Sequence, residues 1–398
     1  MNILTVGASP YLLTKSSKIN RDILLSLKED GHNIASAVWH NDITWFMNNQ
    51  DDGTSMFEDN RKKICSLYPF IDLKERSSPQ MYEIMKKFQP DIVITIGDYD
   101  EIDFIYSIKA LYPDLFKWVA VLTIDALPIN DNHKQALEYI DIAIVTTKKA
   151  KEAFEKFCDV TCYCVPYGPD HEKFFSNNLT IEQNKFKIVC CSKNSQTSNL
   201  SSVIRAVGDL DIENVECYLH TNLYDQGDYD LYLLVDRYGK NKVKLPEKFV
   251  GLNDGLSEEE LRNRFISSDV VIDASVRSGT GLTLLEAMAC GCVPVATNVG
   301  AIGEIMDLLP GYMEAHINSN TYVGKNEEEY EIISTKDLTN ILYNIYSIKR
   351  NNVDLFKDMK KQSIIVAEKF SNKIFLGKLK EIIEISKDIK NVLLVKSF

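Results

Sequence analysis

The stretch from Val270 to Ile305, VVIDASVRSGTGLTLLEAMACGCVPVATNVGAIGEI, restricts the folds open to this chain more than any other. An apolar run ends at Asp273, a loop follows with Gly279 and Gly281, and apolar residues then recur at helical spacing from Leu282 to Cys290. Gly291 stops that helix, and Cys292 to Thr297 read as the next buried strand. Buried strand, glycine loop, helix and buried strand make a βαβ unit, which requires a parallel sheet with helices on its faces. Glu286 then lies in the first turns of a helix at the carboxyl edge of that sheet, where open α/β folds take their ligands. A Gly-x-Gly loop alone serves a structural crossover as readily as a phosphate site, so the functional reading rests on the residues around it.

The same alternation runs through the rest of the chain, and 398 residues exceed one ordinary core, so two domains are expected. In the first, Asn2 to Val6 is a strand ending at Gly7, Ser17 to Glu29 a helix closed by Gly31, and Ile34 to Trp39 a second strand. The polar stretch from Asn41 to Lys62 shows no periodicity and reads as a loop. Ser78-Pro79 starts a helix that runs to Phe88, and Asp91 to Ile96, Trp118 to Thr123 and Asp141 to Thr146 are further strands. The helix Lys148 to Phe157 follows, and the polar segment Ser176 to Lys185 reads as a linker. The second domain restarts with the strand Phe186 to Cys191, the loop Ser192 to Ser198, the helix Asn199 to Val207 and the strand Val215 to Thr221. Ser257 and Glu260 form a capping box ahead of the opening stretch, and Thr335 to Ile348 and Asn352 to Lys369 are closing helices. The expected domains are residues 1–175 and 186–370, with an amphipathic run, Lys373 to Ile389, in a last segment 371–398.

Composition narrows the function classes. The formal net charge is -12, and basic residues gather only in short groups such as Lys148 to Lys151 and Lys357 to Lys361. Nucleic-acid binding usually shows a basic face, so a nucleic-acid partner is not favoured. No window reaches the roughly 18 apolar residues of a membrane span, and Met1 to Pro10 lacks the basic flank of a signal peptide. The 9 cysteines are odd in number, and Cys190, Cys191, Cys217 and Cys290 sit inside apolar runs as small hydrophobes. A cytoplasmic location is expected from this. Cys158, Cys162 and Cys164 lack the spacing of a zinc knuckle and read as buried strand residues.

Two strands of the first domain end in carboxylates, at Asp98 and at Asp125. Acids at the carboxyl ends of parallel strands can face a ligand cleft, and solvated loop acids are an equally ordinary reading. Asp98-Tyr99-Asp100 and Asp228-Tyr229-Asp230 are Asp-x-Asp pairs of the kind that holds a divalent cation. In a chain with 57 acidic residues such pairs arise by chance, and no metal is expected.

The run GLTLLEAMACGCVPVATNVGAIGE resembles the donor-sugar motif of retaining glycosyltransferases of the GT-B fold, family four (group 1) in particular. Leu282, Glu286 to Gly291, Pro294, Val295, Gly300 and Glu304 match that motif. The first Glu of the family's pair falls on Ser278, and the family's aromatic residue falls on Thr280. Lys193, Asn194, Asn199 and Leu200 hold the frame of a second motif, in which Thr197 and Ser198 replace basic residues that face the donor diphosphate. Val165-Pro166-Tyr167-Gly168-Pro169-Asp170 is similar to the segment that closes the family's first domain.

The resemblance implies a GT-B fold, two Rossmann-like domains facing across a cleft, with a last helix crossing back to the first domain. It implies transfer of a sugar from a nucleotide diphosphate sugar to a hydroxyl acceptor, with retention, without a metal or other cofactor and without a protein nucleophile. Glu286 then accepts hydrogen bonds from the ribose, and the backbone from Gly279 through Thr280 and Gly281 to Leu282 holds diphosphate and sugar. Lys193 supplies positive charge to the leaving diphosphate, and Gly7, Ser198, Arg277 and Ser278 complete the donor side. Asp98 and Asp125 face donor sugar or acceptor. The substitutions at Ser278 and Ser198 keep two other readings open, a nucleotide-sugar-binding scaffold subunit and a sugar-nucleotide epimerase. Among acceptors, a hydroxylated nucleobase in DNA is the alternative to a glycan, lipid-linked or protein hydroxyl.

Overall fold

The computed structural model describes residues 1–39, 55–60, 62–70, 78–102, 104–179, 181–223, 229–247, 250, 255–313, 315–323 and 329–387. The chain divides into two compact units, Met1–Val165 with Ile374–Phe398, and Pro166–Lys373.

Unit 1 is built from β1 (Asn2–Ala8), α1 (Lys15–Glu29), β2 (Asn33–Trp39), β3 (Ser55–Asp59), β4 (Lys62–Phe70), α2 (Ser78–Phe88) and β5 (Ile92–Gly97). It continues with α3 (Tyr99–Ile102), α4 (Ile105–Leu111), β6 (Lys117–Leu122), α5 (Lys134–Leu137), β7 (Ile142–Val145), α6 (Lys148–Phe157) and β8 (Cys162–Cys164). Its sheet has the order β3-β4-β2-β1-β5-β6-β7-β8. The pairs from β4 to β8 are parallel. Continuous apolar strands such as IVITIG in β5, buried along their whole length, suit a sheet covered on both faces.

One sequence reading is corrected here. Of the expected loop Asn41 to Lys62, residues 41–54 and 61 lie outside the described residues, but Ser55–Asp59 is a strand, antiparallel to β4. Phe57, buried at 1% exposure and in edge contact with Tyr11, anchors it. The Tyr11 hydroxyl donates to Met56 O (3.1 Å) and accepts from Glu58 N–H (2.8 Å). One buried aromatic in a polar stretch is too little for a periodicity to register.

Unit 2 holds β9 (Phe186–Cys191), α7 (Leu200–Asp209), β10 (Val215–His220), α8 (Leu231–Tyr238), β11 (Val243–Lys244), α9 (Glu258–Ile266), β12 (Val270–Asp273) and α10 (Leu282–Ala289). It goes on through β13 (Val293–Thr297), α11 (Gly300–Met306), β14 (His316–Ile317), the hairpin β15 (Ser319–Val323) and β16 (Glu329–Ile333), α12 (Thr335–Asn351) and α13 (Val353–Ala367). The main sheet is parallel, in the order β11-β10-β9-β12-β13-β14. The residues between Pro166 and Phe175, read from sequence with the first domain, pack in unit 2. A Cβ on Gly168 would lie 2.4 Å from the Phe370 and Ser371 backbone, and His171 Nε2 donates to Phe370 O (2.8 Å). The final helix, α14 (Asn372–Ser386), begins where unit 2 ends. From Ile374 on it belongs to unit 1, where Lys380 pairs with Asp30, the C-cap of α1, at 2.8 Å.

Both sheets fix their amino edges by one device. Asp91, Asp141 and Asp269 each stand just before a strand and accept an N–H from the first or second residue of the neighbouring strand, Asn2 (2.8 Å), Trp118 (2.7 Å) and Lys187 (2.8 Å). Asp141 also pairs with buried Lys109 at 2.9 Å, and Asp269 with buried Lys349 at 2.6 Å. Burial pushes the Lys109 ammonium down, and Asp141 opposes that shift. With their amino ends held, the strands deliver their carboxyl ends, and the loops that follow, at fixed positions.

Candidate functional site

In unit 2 the chain starts at β9, lays β10 and β11 to one side and β12 to β14 to the other, so the strand order reverses between β9 and β12. A crevice forms at such a reversal, because the two loops leaving the carboxyl ends run to opposite faces of the sheet. Those loops, Ser192–Asn199 and Ala274–Gly281, carry the residues singled out from sequence. They are stitched together twice, by Val276 N–H to Thr197 O (2.8 Å) and by Asn199 Nδ2 to Ala274 O (2.8 Å). Asn199 sits at φ 51, a left-handed conformation that Asn tolerates, which turns the chain into α7.

The second loop is held from within. Ser275 Oγ donates to Asp273 Oδ1 (2.6 Å), and Thr297 Oγ1 donates to Ser275 O (2.6 Å). Ser278 Oγ accepts from Gly281 N–H (3.1 Å), and Thr280 Oγ1 accepts from Leu282 N–H (3.4 Å). Two of the N–H groups read from sequence as diphosphate donors are thus satisfied inside the loop. Gly281 caps α10 at φ 60, where only 2.5 Å would separate an added Cβ from Ile305 Cδ1. Gly300 lets α11 approach: Ser278 O accepts from Ala301 N–H (2.9 Å) and lies 2.2 Å from where a Gly300 Cβ would be.

Burial sorts the sequence candidates. Ser198, Ser278, Thr280, Leu282 and Glu286 are all buried, Gly279 and Gly281 with them. Arg277 is half-buried, and Lys193 is exposed. Ser198 shares its hydroxyl with Ser195 Oγ at 3.1 Å. Glu286, at 3% exposure, stands close to the end of β9: burial pushes the Cys191 thiol well up, and the charges of Cys190 and then Glu286 add to it. The carboxylate is therefore buried on α10 within electrostatic reach of the end of β9, and is a candidate ligand group. Of the stitching residues, Thr197 and Asn199 were read from sequence only as positions of the second motif and Val276 was not singled out; their joining of the two loops was not anticipated.

Unit 1 repeats the pattern, with the reversal between β1 and β5. Gly7 lies in β1, where an added Cβ would sit 3.2 Å from Ile96 O, so its absence lets the two strands meet. Asp98 and Asp125 follow the neighbouring strands β5 and β6, and both are half-buried. Asp98 Oδ1 accepts from Tyr99 N–H (2.8 Å) at the start of α3. Of the other acidic pair, Asp228 lies outside the described residues, and Asp230 caps α8 by accepting from Leu233 N–H (3.0 Å). Cys158, Cys162 and Cys164 are free thiols, and burial pushes the first two up to about 12.

Residues 186–321, which hold both loops, match the family model described as Glycosyl transferases group 1. That stretch, about a third of the chain, is similar to the glycosyltransferase group 1 domain. The glycogen synthase of Pseudomonas savastanoi pv. phaseolicola is 22% identical over 130 residues, 30% of this chain and 27% of that protein. The match thus spans little more than a quarter of the length of this curated relative. Among solved structures, sucrose-phosphate synthase from Thermosynechococcus elongatus superposes with a TM-score of 0.75 at 13% identity, covering 97% of this chain and 99% of that one. The catalytic domain of Starch Synthase IV from Arabidopsis thaliana, bound to ADP and acarbose, does so with a TM-score of 0.62 at 10% identity, over 97% and 99%. These likenesses cover both units and give the chain the GT-B fold. Among the described residues no helix is long and apolar enough to cross a membrane.

Proposed function

We propose that the protein transfers a sugar from a nucleotide diphosphate sugar to a hydroxyl acceptor, with retention of configuration and without a metal. The observation that carries this reading is the stitched pair of loops at the strand-order reversal of unit 2, with buried Glu286 on the helix α10 that leaves the second of them. A relative of the same fold holds ADP, which supports a nucleotide as the ligand. In this reading Glu286 accepts hydrogen bonds from the ribose hydroxyls. The first turn of α10 leaves N–H groups without helical partners, and with Gly281 and Leu282 satisfied by side chains, those of Thr283 and Leu284 face the diphosphate. Lys193, exposed on the other loop, neutralises charge as the glycosidic bond breaks. Asp98 and Asp125 contact the transferred sugar or the acceptor.

A thermal-shift screen of nucleotide sugars tests the donor reading, since a ligand at ~100 times its dissociation constant adds about 2.7 kcal/mol to stability. Glu286→Gln keeps the buried shape and removes the charge, so it should weaken nucleotide binding by about 1.5–3 kcal/mol in calorimetry. Unchanged affinity would remove Glu286 from the ribose. Product anomers read by NMR decide retention, and turnover that vanishes in EDTA and returns with Mg²⁺ would refute the metal-free reaction. One observation favours binding without turnover: Ser278 and Ser198 spend their hydroxyls inside the protein, where the related motif carries charge. Donor binding with neither free nucleotide nor altered sugar would support that second reading.

A further inference from the structure

Unit 2 contains a cavity of about 740 Å3 between α9 and the β10–β11 side of the sheet, within the ~300–1,000 Å3 typical of small-molecule sites. It extends to Glu216, near the start of β10, and to Ser267, just before β12. It also takes in Leu245 to Glu247, just past the carboxyl end of β11, and none of its lining residues lies in the loops 192–199 and 274–281.

Its walls are chemically mixed. The Arg264 guanidinium lies 4.0 Å over the buried ring of Tyr218, and behind this wall, outside the lining, His220 stacks on the same ring at 6.2 Å. Burial first, then the charge of Arg264, pushes the His220 imidazole down to about 4, so it is neutral near pH 7. Among the described residues neither Arg264 nor Lys244 makes an ion pair, although Glu216 and Glu247 line the same cavity. Glu260 lines it too, but its carboxylate is committed to Ser257 N–H (2.8 Å) and Oγ (3.0 Å) in the cap of α9. Leu245, Pro246 and Leu256 give it an apolar side.

Two cations and two carboxylates lining one cavity, without ion pairs among the described residues, favour neither an anionic nor a cationic ligand. Donors (Arg264, Lys244) and acceptors (Glu216, Glu247), with exposed Asn263 able to do both, fit a neutral molecule that donates and accepts around its rim and has an apolar face. Sugar rings have that chemistry. We propose that this cavity is an accessory site for a neutral saccharide chain, a proposal that rests on the glycosyl-transfer reading because it makes the acceptor, or the product, a polysaccharide. Holding a chain here raises the local concentration of its ends at the donor loops of the same molecule.

Native gel electrophoresis of the full chain through a neutral α-glucan, a β-glucan and a mannan tests it. The wild type should be retarded in at least one gel. Arg264→Ala, and Asn263→Trp, which blocks the mouth from an exposed helix position, should each weaken that retention at least tenfold. The thermal shift produced by UDP, ADP or GDP should be the same in all three proteins. Retardation in none of the gels, or retention unchanged in Asn263→Trp, overturns the proposal. Absence of any nucleotide shift in the wild type overturns the donor reading instead, so the two failures are distinguishable.

Discussion

At the scale of single residues, the position where the related motif carries its first Glu decides most. Ser278 is not a vacant substitute: its hydroxyl accepts the Gly281 N–H inside a buried loop. Ser278→Ala should therefore cost about 1–3 kcal/mol of stability, as for a buried donor left unsatisfied, while nucleoside diphosphate affinity stays nearly unchanged. If Arg277 supplies the phosphate charge that Ser198 lacks, Arg277→Ala should do the opposite and weaken that affinity by about 1.5–3 kcal/mol. Calorimetry on the two variants separates the roles, and negligible effects of both on affinity would refute the compensation. His220 makes a second residue-scale prediction. Its folded-state value of about 4 lies below the ordinary 6.5, so between those values the unfolded chain binds more protons. Stability is fully present above pH 6.5 and falls toward pH 4, by up to about 2–3 kcal/mol after allowance for partial exposure. In urea titrations at pH 7 and pH 4.5, His220→Gln should lose less stability than the wild type.

At the scale of elements, the βαβ stretch from Val270 was legible because its strands are continuously apolar and its loop is marked by glycine. The staples that shape the site were not. Val276 to Thr197 and Asn199 to Ala274 join residues separated in sequence by three helix–strand units, α7 to β12, and no periodicity encodes such a pair. The aspartates ahead of β5, β7 and β12 were visible as residues, but their task, accepting an N–H at the start of a neighbouring strand, shows only once the strand order is known. Gly300 tests how closely α11 controls the Ala274–Gly281 loop. At φ 43, with Ser278 O 2.2 Å from its would-be Cβ, Gly300→Ala should push the loop carbonyl off Ala301 N–H. The expected loss is roughly 2–4 kcal/mol of stability, together with weakened nucleotide binding. Gly311→Ala, where nothing lies within 4 Å, is the control and should change stability by less than about 0.5 kcal/mol. A Gly300 variant with full nucleotide affinity would show that the α11 contact does not shape the site.

At the scale of the whole molecule, the amphipathic run near the C-terminus is the feature whose sequence signal and structural role differ most in strength. As a sequence it is one more helix. In the fold its residues from Ile374 on complete unit 1, although some two hundred residues of unit 2 intervene. Phe375, Leu379, Ile382 and Ile383 are each at most 1% exposed, and Lys380 closes onto the C-cap of α1. Burying side chains of this size contributes about 1.5–3 kcal/mol each, so the four together approach the ~5–15 kcal/mol by which a typical domain is stable. Ending the chain at Lys373 should therefore unfold unit 1 while leaving unit 2, whose residues all remain, folded. Hydrogen exchange distinguishes the two: amides of β1 and β5 should lose protection, and those of β9 and β12 should keep it. Nucleoside diphosphates should still stabilise the truncated protein, because both stitched loops lie in unit 2. Protection of β1 and β5 that survives the truncation would mean that unit 1 closes its core without this helix.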